Sequence, residues 1–205
     1  MMNEPTRSKV PVLDSLARAI RIVTVPPLMV AVILFVLYAL HDTMFLSPSH
    51  LVFSELFLAV VPLLAYPLSY MIPAIRKKGR NGQRSLAMYL SAAGYLSVVA
   101  YGIFAGCAES LRTIQLTYLL SVLLLLFLNK VLRVRASGHA CSVSGPILLL
   151  CLYVGIGGVI VGLLLYTAIF WASVRMRHHT PKEFLIGSVT PIVAYILSYL
   201  FYMIV

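Results

Sequence analysis

The stretch ACSVSGPILLLCLYVGIGGVIVGLLLYTAIFWA, residues 140–172, runs for 33 residues without a single Asp, Glu, Lys, Arg or His. A helix needs only about 20 apolar residues to cross the hydrocarbon core of a bilayer, so this stretch is too long for one ordinary span. The GIGG sequence at 155–158 lies near its middle, where glycines permit a tight turn. We therefore predict two short helices that fold back on each other at this point.

The rest of the chain has the same membrane character. Of its 205 residues, 61% are hydrophobic and only 11% are charged, and the mean hydropathy is +0.97. A soluble domain of this length carries more charge. Further spans are predicted at 22–40, 51–75, 86–106, 113–129 and 184–205. The predicted fold is an all-α, polytopic transmembrane helical bundle of about six to seven spans over residues 21–205, preceded by a polar or amphipathic segment, 1–20.

The basic residues are distributed asymmetrically between the two predicted faces of the membrane. With seven crossings, one face receives the N-terminus and the loops 76–85, 130–139 and 173–183. Of the 16 Lys and Arg residues, only Arg112 falls on the other face. By the positive-inside rule we predict that the basic face is cytoplasmic, and Arg21 at the N-terminus contributes to this bias. The near absence of ionisable groups within the spans disfavours a proton pump or an ion-coupled transporter.

Three loops of the basic face carry residues suited to phosphate chemistry. They read IRKKGRNGQRS (75–85), KVLRVRASGHA (130–140) and ASVRMRHHTPKE (172–183). A phosphate ester carries up to two negative charges, which guanidinium and ammonium groups bind and neutralise. One histidine can act as the nucleophile and a second as the general acid, and a carboxylate can fix the tautomer of a histidine. The candidate phosphate-binding residues are Lys77, Arg84, Arg135, Ser137, Gly138 and Arg175.

The order of these residues resembles the type 2 phosphatidic acid phosphatase (PAP2) superfamily over roughly residues 77–190. Lys77 and Arg84 match Lys-x6-Arg-Pro, Ser137-Gly138-His139 matches Pro-Ser-Gly-His, and His179 with Glu183 matches His-x3-Asp with Glu for Asp. The resemblance implies a PAP2/haloperoxidase-like core. It implies that His179 is the nucleophile, that His139 is the general acid and that Glu183 supports His179. Neither a metal nor another cofactor is expected.

The chain departs from the family pattern at three further positions. Ser85 and Ala136 stand where the family has proline, and Ser173 stands where the third motif has arginine. Arg175 can replace the missing charge, and Lys77 or Lys78 can do so from across the site.

Each motif also has a purely structural interpretation. Ser137 can be the N-cap of a helix that is followed by an interfacial histidine. The loop 76–85 can serve as positive-inside anchoring or contact anionic headgroups. His178 is the alternative to His179, although the spacing to Glu183 favours His179.

The predicted function is hydrolysis of a lipid phosphate monoester or diphosphate in a bacterial cell membrane. Candidate substrates are polyprenyl (undecaprenyl) diphosphate, phosphatidic acid and phosphatidylglycerol phosphate. The expected partners are this lipid and the bilayer, with no nucleic acid. The alternative is a catalytically inactive membrane protein that binds anionic lipid headgroups through the same loops. A vanadate-dependent haloperoxidase shares the phosphate-site architecture, but that group is soluble.

Overall fold

A computed structural model describes residues 11–176 and 180–204 of the chain. These residues form helices joined by short connections, and none of them forms a strand. The helices are α1 Pro11–Val23, α2 Pro26–Leu40, α3 Pro48–Met71, α4 Pro73–Arg76, α5 Gly79–Phe104, α6 Glu109–Val131, α7 Gly138–Tyr153, α8 Gly155–Arg175 and α9 Pro181–Ile204. The all-α prediction is therefore confirmed.

Five helices, α3, α5, α6, α8 and α9, are each long and apolar enough to cross a membrane. Helices α1 and α2 meet at an angle of 56° and add a sixth candidate span if they are counted together. Helix α7 is apolar but has only 16 residues. The sequence prediction of seven crossings counted α2 and α7 as separate spans, whereas length and composition support five or six.

The outer surface of the bundle is apolar, as contact with lipid requires. Large hydrophobic side chains such as Phe104, Ile156 and Leu164 are exposed. Helix α1 differs because it is amphipathic and carries Asp14 and Arg21. This pattern is typical of a helix that lies at the membrane surface.

The long uncharged stretch forms a helical hairpin, as predicted. Helix α7 ends at Tyr153, and α8 begins at Gly155, whose φ of +69° lies in the left-handed region that glycine adopts readily. Ile169, near the end of α8, packs in one cluster with Ala140 and Val143 near the beginning of α7. The first turn of α7 and the last turn of α8 therefore lie at the same end of the bundle.

The hydrophobic core has a large central cluster, a smaller one beneath the basic loops, and a third that contains Leu125, Ala136 and Cys141. The central cluster joins α2, α3, α5, α6 and α7 through side chains such as Leu34, Leu58 and Ile114. The smaller cluster contains Ile169 of α8 and Phe184 of α9, and Ile20 and Met29 of the first two helices pack against it. It holds the ends of five helices together, because α7 also contributes residues to it.

Contacts between loops distinguish two ends of the bundle. At the distal end, Nε2 of His41 donates a hydrogen bond to the carbonyl oxygen of Tyr153 at 2.9 Å. The guanidinium of Arg112 lies 5.0 Å from the ring centroid of Tyr202 at the same end. The opposite end collects α1, α4 and the connection 132–137, together with the end of α8 and the beginning of α9, and we call it the basic end.

Candidate functional site

Ser137 links the second and third basic loops. Its backbone N–H donates to the carbonyl oxygen of Glu183 at 2.9 Å. Its hydroxyl oxygen accepts a hydrogen bond from the N–H of Ala140 at 3.2 Å, and the whole residue is buried. Ser137 is thus the N-cap of α7, as the structural interpretation of the motif predicts. It also joins the first turn of α7 to the first turn of α9.

Two glycines near the hydrogen bond from Ser137 to Glu183 differ in how tightly they are packed. A Cβ atom on Gly187 would collide with the backbone carbonyl oxygen of Ser137, so α9 can pack this closely only with glycine there. A Cβ on Gly138 would meet one neighbour, Cδ2 of Leu125 at 3.5 Å, which is ordinary van der Waals contact. The packing does not require glycine at position 138, so the predicted ligand role of Gly138 can be tested without disturbing the fold.

Hydrogen bonds with Asn129 explain why position 136 is alanine, where the family pattern has proline. Its Nδ2 donates to the carbonyl oxygens of Leu125 at 2.9 Å and Ala136 at 3.2 Å. Its Oδ1 accepts a hydrogen bond from the N–H of Ala136 at 3.2 Å. Proline has no N–H and could not make this bond. Asn129 therefore fixes the segment before Ser137 to the end of α6, a role that no pattern in the sequence singles out.

The first basic loop continues directly into α5. Ser85 lies inside this helix, where a proline would remove a backbone hydrogen bond and clash with the preceding turn. Lys77, Lys78 and Arg84 are exposed, and none of them has a side-chain hydrogen bond or ion pair with another described residue. Arg84 follows Arg80 by four residues, so the two arginines lie on the same face of α5.

Glu183 closes a capping box at the start of α9. Its Oε2 accepts a hydrogen bond from the N–H of Thr180 at 3.2 Å, and Oγ1 of Thr180 accepts one from the N–H of Glu183 at 3.2 Å. Its Oε1 lies 4.0 Å from Nη1 of Arg135, whose side chain is 90% exposed. Such a solvent-exposed pair contributes little to stability. The Thr-x-x-Glu spacing is visible in the sequence and predicts this cap.

The structure describes one of the two predicted catalytic histidines. His139 lies in the first turn of α7 and is half-buried. His179 and its alternative His178 lie outside the described residues. Thr180, the next residue along the chain, belongs to the capping box of Glu183. The hydrogen bond from Ser137 to Glu183 therefore joins the segment of His139 to the segment that directly follows position 179.

Arg175, the predicted substitute for the missing arginine, has a different partner. Its Nε donates to Oδ1 of Asp14 at 2.9 Å, and its guanidinium lies 5.8 Å from the ring centroid of Trp171. The carboxylate of Asp14 offsets the positive charge that the sequence assigns to phosphate binding. In the structure Arg175 joins α1 to α8.

Arg21 is the cation that lies against Ser173. Its Nη1 donates to Oγ of Ser173 at 3.1 Å, and Ser173 is fully buried. Burial lowers the pKa of Arg21, the nearby Arg80 lowers it further, and Tyr66 acts in the opposite direction. Arginine stays protonated in proteins, so Arg21 is a partly desolvated cation. In the sequence Arg21 contributes only to the positive N-terminus; its place beside the third loop is a finding of the structure.

The basic end carries a large excess of positive charge. Its described acidic side chains are Asp14 and Glu183. A surface of this kind attracts phosphate groups and anionic headgroups. Its described cations are Arg18, Arg21, Arg76, Lys77, Lys78, Arg80, Arg84, Lys130, Arg133, Arg135, Arg175 and Lys182.

No family model matches the chain, and neither a curated protein nor a solved structure matches it. Fold and site together define an all-α protein with five or six helices able to span a membrane. A histidine, a buried serine cap and several arginines lie at one end of its bundle.

Proposed function

We propose that the protein is a membrane lipid phosphatase of the PAP2 type, which hydrolyses a lipid phosphate monoester or diphosphate without a metal. The observation that carries the proposal is the 2.9 Å hydrogen bond between the Ser137 N–H and the Glu183 carbonyl oxygen. It joins the segment that contains His139 to the segment that follows His179. The apolar outer surface and the basic end favour a lipid that keeps its tail in the bilayer and presents its phosphate to the loops.

In the proposed reaction the imidazole of His179 attacks phosphorus, and the bond from phosphorus to the leaving oxygen breaks. The imidazolium of His139 gives its proton to that oxygen, so the lipid alcohol or the lipid monophosphate departs. Water then attacks the phosphohistidine while His139 accepts a proton from it. Inorganic phosphate leaves, and both histidines return to their starting states. Arginine side chains stabilise the negative charge that develops on the phosphoryl oxygens.

The test is phosphate release by the purified protein in lipid nanodiscs. The substrates are phosphatidic acid, phosphatidylglycerol phosphate and a polyprenyl diphosphate, each assayed with and without orthovanadate, a phosphate mimic. We expect release from at least one lipid, inhibition by vanadate, and loss of activity in both His139→Ala and His179→Ala.

The matched controls separate the site from general damage to the fold. His41→Ala removes a histidine at the distal end and should leave phosphate release unchanged. His178→Ala distinguishes the neighbouring histidine from His179 and should retain most of the activity. Full activity in both His139→Ala and His179→Ala would contradict the proposed mechanism.

A second function is non-catalytic binding of anionic lipid. The observation that favours it is that Ser137 and Glu183 both serve the fold, one as an N-cap and the other in a capping box. Two of the motif residues therefore have a structural reason to be present. Lipid binding without phosphate release in the same nanodiscs would support this alternative.

A further inference from the structure

A group of buried polar side chains lies near the distal end, between α3, α5 and α6. Nε2 of Gln115 in α6 donates a hydrogen bond to Oγ of Ser54 in α3 at 3.3 Å, and both residues are fully buried. Oε1 of Gln115 lies against Gly102 of α5, where any Cβ atom would collide with it. Three helices therefore meet around the side chain of Gln115.

His50 and Arg112 extend this group toward the distal end. His50 precedes Ser54 by four residues, so the two side chains lie on the same face of α3. His50 is buried, and its ring centroid lies 6.2 Å from that of Tyr101, the neighbour of Gly102. A Cβ atom on Gly102 would lie 3.5 Å from Cγ of Arg112. His50 and Arg112 thus both reach the last turn of α5.

Tyr118 extends the group toward the middle of the bundle. It follows Gln115 by three residues, so the two side chains lie on the same face of α6. Tyr118 is buried, and its ring centroid lies 5.6 Å from that of Tyr95 in α5. From Glu109 at the start of α6 to Tyr118, the helix rises roughly 14 Å at about 1.5 Å per residue. The polar group therefore continues well into the bundle.

Buried polar atoms of this group have no hydrogen-bond partner within the described part of the chain. They are Nδ1 of His50, Nε of Arg112, Oε1 of Gln115 and the hydroxyl oxygen of Tyr118. An unpaired polar atom inside a membrane protein is costly, because hydrocarbon offers it neither a donor nor an acceptor. The group therefore requires a ligand that forms hydrogen bonds.

Water is the ligand that suits all of these atoms. Nε of Arg112 can only donate, Oε1 of Gln115 can only accept, and the hydroxyl of Tyr118 can do both. A metal cation would be repelled by the Arg112 guanidinium, and an anion would find no donor in the Gln115 oxygen. A water molecule donates and accepts, and it makes about three hydrogen bonds in a buried polar site.

We propose that Gln115 is the centre of a hydrated polar site, in which ordered water enters from the distal end and bridges the polar atoms of α3 and α6. The site lies apart from the basic end and does not depend on the proposed function. Through it, water reaches the interior of the bundle from the face opposite the basic loops.

The experiment is X-ray radiolytic footprinting of the full chain in phosphatidylcholine nanodiscs, with mass spectrometry as the readout. X-rays convert water into hydroxyl radicals, which oxidise side chains that lie next to that water. We expect oxidation of His50 and Tyr118, although both are buried. Phe184 is also buried but lies in an apolar cluster, so it should stay unmodified.

Gln115→Met tests the centre of the site, because it removes the amide and keeps a similar side-chain length. It should slow the oxidation of His50 and Tyr118 severalfold. Gln83→Met is the matched control, since Nε2 of Gln83 also donates to a serine, Oγ of Ser69, at 3.3 Å, but near the basic end. It should leave both rates unchanged. If Gln115→Met does not fold, the comparison with Phe184 in the wild type decides the question.

Oxidation of His50 and Tyr118 that slows in Gln115→Met and not in Gln83→Met supports the inference. Wild-type residues as unreactive as Phe184 would overturn it, because the site would then be dry. Equal rates in Gln115→Met and the wild type, or equal losses in both variants, would also overturn it, since Gln115 would not hold the water.

Discussion

The basic end contains two arrangements of charge that differ in their balance. Around Ser137, the carboxylate of Glu183 lies near Arg135 and caps α9, so opposite charges meet and the polar groups have partners within the protein. Around Ser173, the Arg21 guanidinium donates a hydrogen bond to a neutral hydroxyl, and no described carboxylate is paired with it. The first arrangement balances charge within the protein, whereas the second leaves Arg21 without a described counter-ion. The difference shows that motif residues at this end also serve the fold, and that a cation outside every motif can be held beside one of the loops.

The largest expected effect concerns His139, which lies two residues after Ser137. Replacing it by Gln removes the proposed general acid, and we expect phosphate release to fall by about 10²- to 10⁴-fold. Binding of inorganic phosphate should change far less, because the arginines of the basic end remain. Phosphate-release assays and binding measurements on the same variant test whether turnover falls more than affinity. Equal losses of binding and turnover would mean that His139 supports the fold or the binding site instead.

The next effect compares the two glycines beside Ser137. Gly187→Ala forces a methyl group against the Ser137 carbonyl oxygen and should lower the free energy of unfolding by about 1–3 kcal/mol. Gly138→Ala meets only Leu125 at an ordinary distance and should leave that free energy nearly unchanged. Thermal unfolding in detergent measures both variants. A stable Gly187→Ala protein would show that α9 and the start of α7 are not packed as described.

The chemical role of Gly138 is tested by the same pair of variants. If the phosphate approaches the backbone at the start of α7, Gly138→Ala should reduce turnover while the protein stays folded. Unchanged turnover in Gly138→Ala would place the substrate elsewhere.

A smaller loss of stability is expected at Asn129. Asn129→Ala removes three hydrogen bonds that hold Ala136 and Leu125, and we expect destabilisation by about 1–2 kcal/mol. Hydrogen exchange should be faster at the N–H of Ala136, while exchange in α8 should not change. Ala136→Pro, which matches the family pattern, should also destabilise, since it removes the donor to Asn129. A stabilised Ala136→Pro protein would contradict this reading of the loop.

The smallest effect is expected at Arg175. Its pair with Asp14 is only partly buried, so Arg175→Gln should lower stability by no more than about 1 kcal/mol. Phosphate affinity should change little, because the carboxylate of Asp14 already offsets the charge of Arg175. A double-mutant cycle with Asp14→Asn measures the ion pair itself. A large loss of phosphate affinity in Arg175→Gln would return the phosphate role to Arg175.

The hairpin of α7 and α8 was predictable because its signal is local. An uncharged stretch too long for one span must turn, and Gly155 provides the conformation for the turn. The capping box of Thr180 and Glu183 is equally local and can be read from the spacing of the two residues. The count of crossings is harder to predict, since α7 is apolar along its length yet shorter than a full span.

The place of Arg21 could not be predicted from any spacing. It is separated from Ser173 by 152 positions in the chain, and the contact depends on how an amphipathic helix packs against the end of α8. A basic residue at an N-terminus is explained equally well by membrane orientation. The same holds for Asn129, because a single asparagine at the end of an apolar helix has no distinctive pattern. Tertiary packing decides both roles.

The proposed function requires that the basic end of the bundle hydrolyses the phosphate of a lipid. The most direct measurement is inorganic phosphate released from the lipid panel by the folded protein in nanodiscs, with and without orthovanadate. We expect release that vanadate inhibits and that disappears when His179 is replaced by Gln. No release from any lipid by a folded, membrane-embedded protein, or equal release after that replacement, would contradict it.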